Sequence, residues 1–176
     1  MEAVMENNDG ESSEEASTYF SVSPLKLVIM SIGTFGIYDL YWFYKNFCHI
    51  KQKNNLDIMP FWRAFFAPLW SYSAFDHIQN EMNEQEIPLN IYAALFAVLY
   101  FLVQACWRLP DPYWLISIFS FLLIIPANNA TTRINQKTKP EFVQNSKLKG
   151  WNWVAVLLGV PFMALAIIGT FLSAPA

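Results

Sequence analysis

The 176-residue chain has the length of one domain, 55% hydrophobic residues and only 14% charged ones, where a soluble domain carries about 25% charged. A water-excluded globule is a poor fit to that balance. The net charge of −3 hides a segregation, with the acids crowded near the start and lysines and arginines towards the end. No basic surface interleaves with stacking aromatics, which argues against nucleic acid.

Residues 1–18 are rich in Glu, Ser and Asn, with almost nothing to bury, and read as a disordered acidic tail. They lack the basic and apolar regions of a signal peptide, so insertion is expected to begin with the first hydrophobic segment. From residue 19 to 176 the pattern reads as one all-α membrane domain, a polytopic helical bundle. Its segments fall at about 24–53, 60–79, 88–109, 112–130 and 151–173.

The first segment opens with Ser23-Pro24, an N-cap followed by proline at the first helical position. Gly33 and Gly36 interrupt its apolar run and Asp39 follows. Either the helix continues, with the glycines admitting a close neighbour, or it breaks there and a second helix leaves along the interface. The stripes Tyr38/Tyr41/Lys45 and Leu40/Phe43/Phe47 favour the break. The second segment starts at Pro60, carries Arg63 and bends at Pro68. Residues 76–86 read as helix end and loop.

The last three segments are the clear spans: 89–109, 112–129 and 151–172. Pro110-Asp111-Pro112 is a reversal between the first two, and Gly159-Val160-Pro161 predicts a bend in the last. Tyr41, Trp42, Trp107, Trp114, Trp151 and Trp153 are candidate interfacial anchors.

Basic residues orient the protein. If all five segments cross, Lys45, Lys51 and Lys53 oppose Arg133, Lys137, Lys139, Lys147 and Lys149. If the amino-terminal pair includes a re-entrant or interfacial member, both basic connectors share the cytoplasmic side. That partition is the better one, and it makes Asn129-Ala130-Thr131 an inert glycosylation pattern.

Asp39 is the residue to explain. An aspartate at mid-membrane costs about 2.5–3.5 kcal/mol on the insertion scale, so it needs a partner. Arg63, Asn128, Asn129 and Arg133 are the candidates, forming either a polar pin that docks the amino-terminal pair or an ion or proton site. Transporters usually offer more than one buried carboxylate, which favours the pin. Cys48 and His49 are too few ligands for a metal. Ser71, Ser73 and His77 come without an orienting acid or an oxyanion turn. Neither an enzyme nor a cofactor is expected.

Lys26-Leu27 and then Thr34-Phe35-Gly36-Ile37-Tyr38-Asp39-Leu40-Tyr41-Trp42-Phe43-Tyr44-Lys45-Asn46 resemble the Thr-x-Gly-Ile-Tyr-x-x-Tyr-Trp signature of a family of small prokaryotic multi-pass membrane proteins. That family is a domain of unknown function (the DUF-four-two-three-four type). Residues 60–68 look like the block that follows in its longer members, so the resemblance covers roughly 19–80. It implies a protein of the bacterial inner membrane and no activity. The expected role is a structural or interaction module whose partners are membrane lipids, another membrane protein or itself, without nucleic acid. The alternative is a small transporter or channel subunit using Asp39.

Overall fold

The computed structural model describes residues 18–173, apart from the side chains of Trp151 and Ser173. The tail expected over 1–18 lies, but for Thr18, outside them, as does the anchor expected of Trp151. Among the described residues the regular elements are all helices, joined by turns and irregular connectors, with one isolated parallel bridge between Val22 and Asn145. A short extended strap, residues 19–22, precedes the first helix.

Helix α1 is Pro24–Gly33, with Ser23 capping the Lys26 amide. It stops because Phe35 and Gly36 take positive φ, 55° and 82°, a conformation glycine adopts without cost. Helix α2, Ile37–Lys53, then runs back beside α1. Thr34 bridges the turn, donating to the Met30 carbonyl at 2.7 Å and accepting from the Tyr38 amide at 3.0 Å. The first segment is therefore a broken hairpin, and its two glycines have separate tasks. Gly36 makes the turn; Gly33 lies where its backbone touches a neighbouring helix.

Helices α3 (Pro60–Phe65) and α4 (Ala67–Glu84) meet at Phe66, with Pro68 in the first turn of α4. The helix continues past the expected end at 79, because Ile78 and Met82 lie one turn apart and are fully buried. Helix α5 is Ala93–Ala105, finished by a 3₁₀ turn over Cys106–Arg108. It starts later than the expected 88 because Pro88 does not open it. The Ile87 and Leu89 amides close turns, and Ile91 donates to the Gln79 side chain at 2.7 Å.

Tyr113–Leu123 is 3₁₀ and leads into α6, Ile125–Thr138. At about 2 Å rise per residue, the 3₁₀ stretch carries a short apolar segment farther than an α-helix would. Helix α6 outruns the expected 130 because Ala130, Thr131, Ile134 and Asn135 are buried. Helix α7 is Gly150–Ser173 and runs through Pro161 as one helix. Among the described residues Tyr113–Thr138 and Asn152–Leu172 are long and apolar enough to cross a membrane, while Ala93–Arg108, within the expected span 89–109, is apolar but shorter.

The C-terminal ends of α2, α4 and α6 meet at one end of the bundle. Lys53 pairs with Glu81, Gln85 donates to Thr138 at 3.2 Å, and Lys137 donates to the Gln85 carbonyl. Trp114 marks the opposite end, donating to Thr170 of α7 at 3.1 Å and packing on Phe35 of the hairpin turn. Between the ends, Phe43 contacts the rings of Trp42, Phe47, Phe75 and Tyr100.

Helix α7 crosses α1 glycine on glycine. A Cβ at Gly159 would lie 1.7 Å from the Gly33 carbonyl oxygen, well inside contact distance. Gly159→Ala should therefore force the helices apart and cost about 1–3 kcal/mol, the usual range for overpacking. Gly169→Ala, where a Cβ meets open space, should leave the thermal midpoint unchanged or slightly raised. Thermal denaturation of the two variants in one detergent checks both.

Candidate functional site

Asp39 sits in the first turn of α2 and is 1% exposed. Its carboxylate accepts from the hydroxyl of Ser31 in α1, and more distantly from Ser120 at 3.5 Å. Gln104 of α5 donates to Ser120 at 3.2 Å and to Tyr100 at 3.3 Å. A polar chain thus joins α1, α2, α5 and the 3₁₀ stretch around a carboxylate that also faces the positive end of its own helix.

These are not the partners expected from the sequence. Arg63 donates to Ser73 at 3.2 Å and lies over the rings of Trp70 (4.3 Å) and Phe47 (5.9 Å). Phe47 is eight residues beyond Asp39 on α2, about 12 Å along the axis, so Arg63 flanks a different part of that helix. Asn128 is turned to the strap, and Asn129 is half-buried beside it on α6. Arg133 is exposed. The hairpin turn explains the mismatch, since it carries Asp39 to the apex, between Ser31 and Ser120.

The strap holds a second, larger polar constellation. Three buried asparagines each pair with both main-chain groups of one strap residue. Asn135 accepts from the Tyr19 amide at 3.0 Å and donates to the Tyr19 carbonyl at 2.7 Å. Asn46 of α2 treats Phe20 the same way, at 3.0 and 3.2 Å. Asn128 does so for Val22, at 3.1 and 2.6 Å. The spacing follows from elementary geometry. Asn128 and Asn135 are seven residues apart on α6, about 10.5 Å at helical rise. Tyr19 to Val22 is three extended residues, about 10 Å.

The amides are themselves oriented. The Trp42 indole donates to Asn128 at 3.1 Å, and Asn46 donates to the Trp42 carbonyl at 2.9 Å. The connector before α7 closes the groove, with Gln144 donating to the Val22 carbonyl at 2.8 Å and the Ser23 amide donating to the Asn145 carbonyl at 3.3 Å. The Lys26 ammonium is buried between the Asn145 side chain (2.7 Å) and the Lys147 carbonyl (2.8 Å). The Tyr19 ring packs 4.1 Å from His49. Burial, and then the Glu81 carboxylate, push the Tyr19 phenol above its ordinary range.

Trp42 is thereby corrected from interfacial anchor to core residue: it is 0% exposed, because its indole N–H is needed by Asn128. Trp114 is half-buried with its N–H on Thr170. Tyr41, Trp107 and Trp153 are exposed. Asparagine is a poor helix former, yet Asn80, Asn83, Asn129 and Asn152 stand inside helices as Asn46, Asn128 and Asn135 do, so position in a helix does not single out the three that read the strap. Only Asn128 was singled out, and for another partner. No protein-family model, curated protein or solved structure matches the chain.

Asn128→Ala would strand the Val22 amide and the Trp42 indole, both buried. At about 1–3 kcal/mol per unsatisfied group, the expected loss is at least about 2 kcal/mol. Asn129→Ala, on the neighbouring position, should cost under about 1 kcal/mol. Denaturation followed by tryptophan fluorescence distinguishes the two.

Proposed function

We propose that this is a small multi-pass membrane protein of the bacterial inner membrane, acting as a structural or interaction module. In this reading Ala93–Arg108, Tyr113–Thr138 and Gly150–Ser173 cross the bilayer. The hairpins α1/α2 and α3/α4 dip from one face and return, and the basic connectors lie in the cytoplasm. The observation that carries the reading is the direction of the apolar side chains. Leu158 and Leu165 of α7 are 72% and 69% exposed, and Val98, Phe101 and Leu102 of α5 also face outward. The buried interior, by contrast, holds Asp39, Asn46, Asn128 and Asn135. Lipid around the helices accounts for both facts, since hydrocarbon solvates the outside and polar groups find partners within. A contiguous apolar surface of this kind is foreign to a monomer in water.

The meeting of α2, α4 and α6 at one end supports a shared side for both lysine-rich connectors. Single-cysteine variants on a cysteine-free background should report it. Leu56→Cys, Gln85→Cys and Pro140→Cys should label from one compartment and Asp111→Cys from the other. Opposite compartments for positions 56 and 140 would sink the dipping-hairpin topology.

The rival reading, a transporter or channel subunit using Asp39, is disfavoured by the serine hydroxyls on that carboxylate, which suit a pin. Asp39→Asn should cost about 1–3 kcal/mol of stability and so lower the thermal midpoint in detergent, and the reconstituted wild type should conduct no ions. An unchanged midpoint together with an Asp39-dependent flux would favour transport.

A further inference from the structure

We infer that the groove between α2, α6 and the 139–149 connector is a binding site for an extended polypeptide. The chain's own residues 19–22 are its resident occupant, and a peptide of the same backbone form can replace them. Three features of the groove carry this.

The first is what the groove reads. Asn46, Asn128 and Asn135 pair with amide and carbonyl groups of the main chain, at 2.6 to 3.2 Å. Main-chain groups are common to every residue but proline, so the pairing selects an extended backbone rather than a sequence. Selectivity comes from two fillers: the Tyr19 ring against His49, and the fully buried Val22. The ligand class is thus a short extended segment with an aromatic residue and, three positions later, a small β-branched one.

The second is that the walls are tied together without the strap. The Trp42 indole joins α2 to Asn128 of α6, Gln144 of the connector donates to Thr132 at 2.9 Å, and Thr131 and Thr132 fix the Asn128 carbonyl. The third is that open space borders the occupant. Cavities of about 230 and 320 Å³ border Thr18 and Tyr19, one reaching Lys45 and Phe142, the other Lys53, Glu81 and Thr138. Space beside the occupant is thus concentrated at Thr18 and Tyr19, where a peptide carrying a larger residue at that end can be seated.

The resident strap competes at the effective concentration of a short tether, about millimolar, so an exchange assay must weaken it. The test uses the full-length Tyr19→Ala/Val22→Ala chain in detergent and a fluorescent, end-capped peptide with the sequence of residues 17–22. Saturable binding about tenfold or more tighter than to the wild-type chain is expected. Adding Asn128→Ala, or N-methylating the peptide at the positions of Tyr19 and Val22, should weaken it by about tenfold or more. Absent binding to a folded double variant, or undiminished binding of the N-methylated peptide, would overturn the inference. Should the double variant not fold, amide exchange of the wild-type chain decides. Tyr19, Phe20 and Val22 should exchange about tenfold or more faster than Trp42 and Phe43; equal protection would mean a fixed strap and no site. The groove needs no bilayer, so failed peptide uptake leaves the membrane module standing, and failed membrane crossing leaves the groove standing.

Discussion

The main-chain amides and carbonyls of residues 19–22 run through the interior without a sheet to pair them. A buried peptide group without a partner costs on the order of kilocalories, so an extended segment can lie there only if side chains take over the role of a neighbouring strand. Asn46, Asn128 and Asn135 do this, each offering one acceptor and one donor in the geometry of a peptide group. The rest of the polar end follows from that need. Trp42 is buried to orient one amide, α6 continues past its apolar stretch to deliver another, and the connector before α7 folds over Val22.

The opposite pole of the hairpin obeys the same rule on a smaller scale. The turn at 34–36 reverses the chain after α1 has run only from Pro24 to Gly33, so the start of α2 stays inside the protein and takes Asp39 with it. The carboxylate is then met by hydroxyls, Ser31 and Ser120, from elements that the reversal brings alongside. Gly33 and Gly159 remove the side chains that would hold α7 away from this apex. Polar satisfaction at the strap and close backbone approach at the apex together pin the amino-terminal hairpin at both ends.

Between these poles the molecule has a largely apolar core that carries a few buried polar groups, while apolar side chains also cover the outside. Its large outward residues on α5 and α7 are leucine, valine and phenylalanine, while asparagine and aspartate lie inside. In the proposed membrane setting, dispersion and close backbone approach between helices would take the place of water exclusion. The glycine crossing is a contact of that kind, and the hydrogen bond from Trp114 to Thr170 ties α7 in as well.

Much of the helical content was legible in the chain. Ser23-Pro24 and Pro60 mark helix starts by fixed φ and a missing donor, Pro68 reads as a bend where the structure starts a new helix, and the apolar run after Trp151 is unmistakable in length. A break at Gly33–Gly36 was one of two readings, favoured by the stripes after Tyr38, and the structure places Gly36 at a φ of 82° that few other residues tolerate. These features are local, and local sequence suffices for them. Where α4 and α6 end was not legible, because Ile78, Met82, Ile134 and Asn135 are held by contacts from residues far along the chain. Nor were the partners of Asp39 and Asn128. A carboxylate or an amide declares what it needs, a donor or a peptide group, but not which one. That choice belongs to the hairpin reversal and to the match between two turns of α6 and three extended residues of the strap, distances that exist only once the chain has folded.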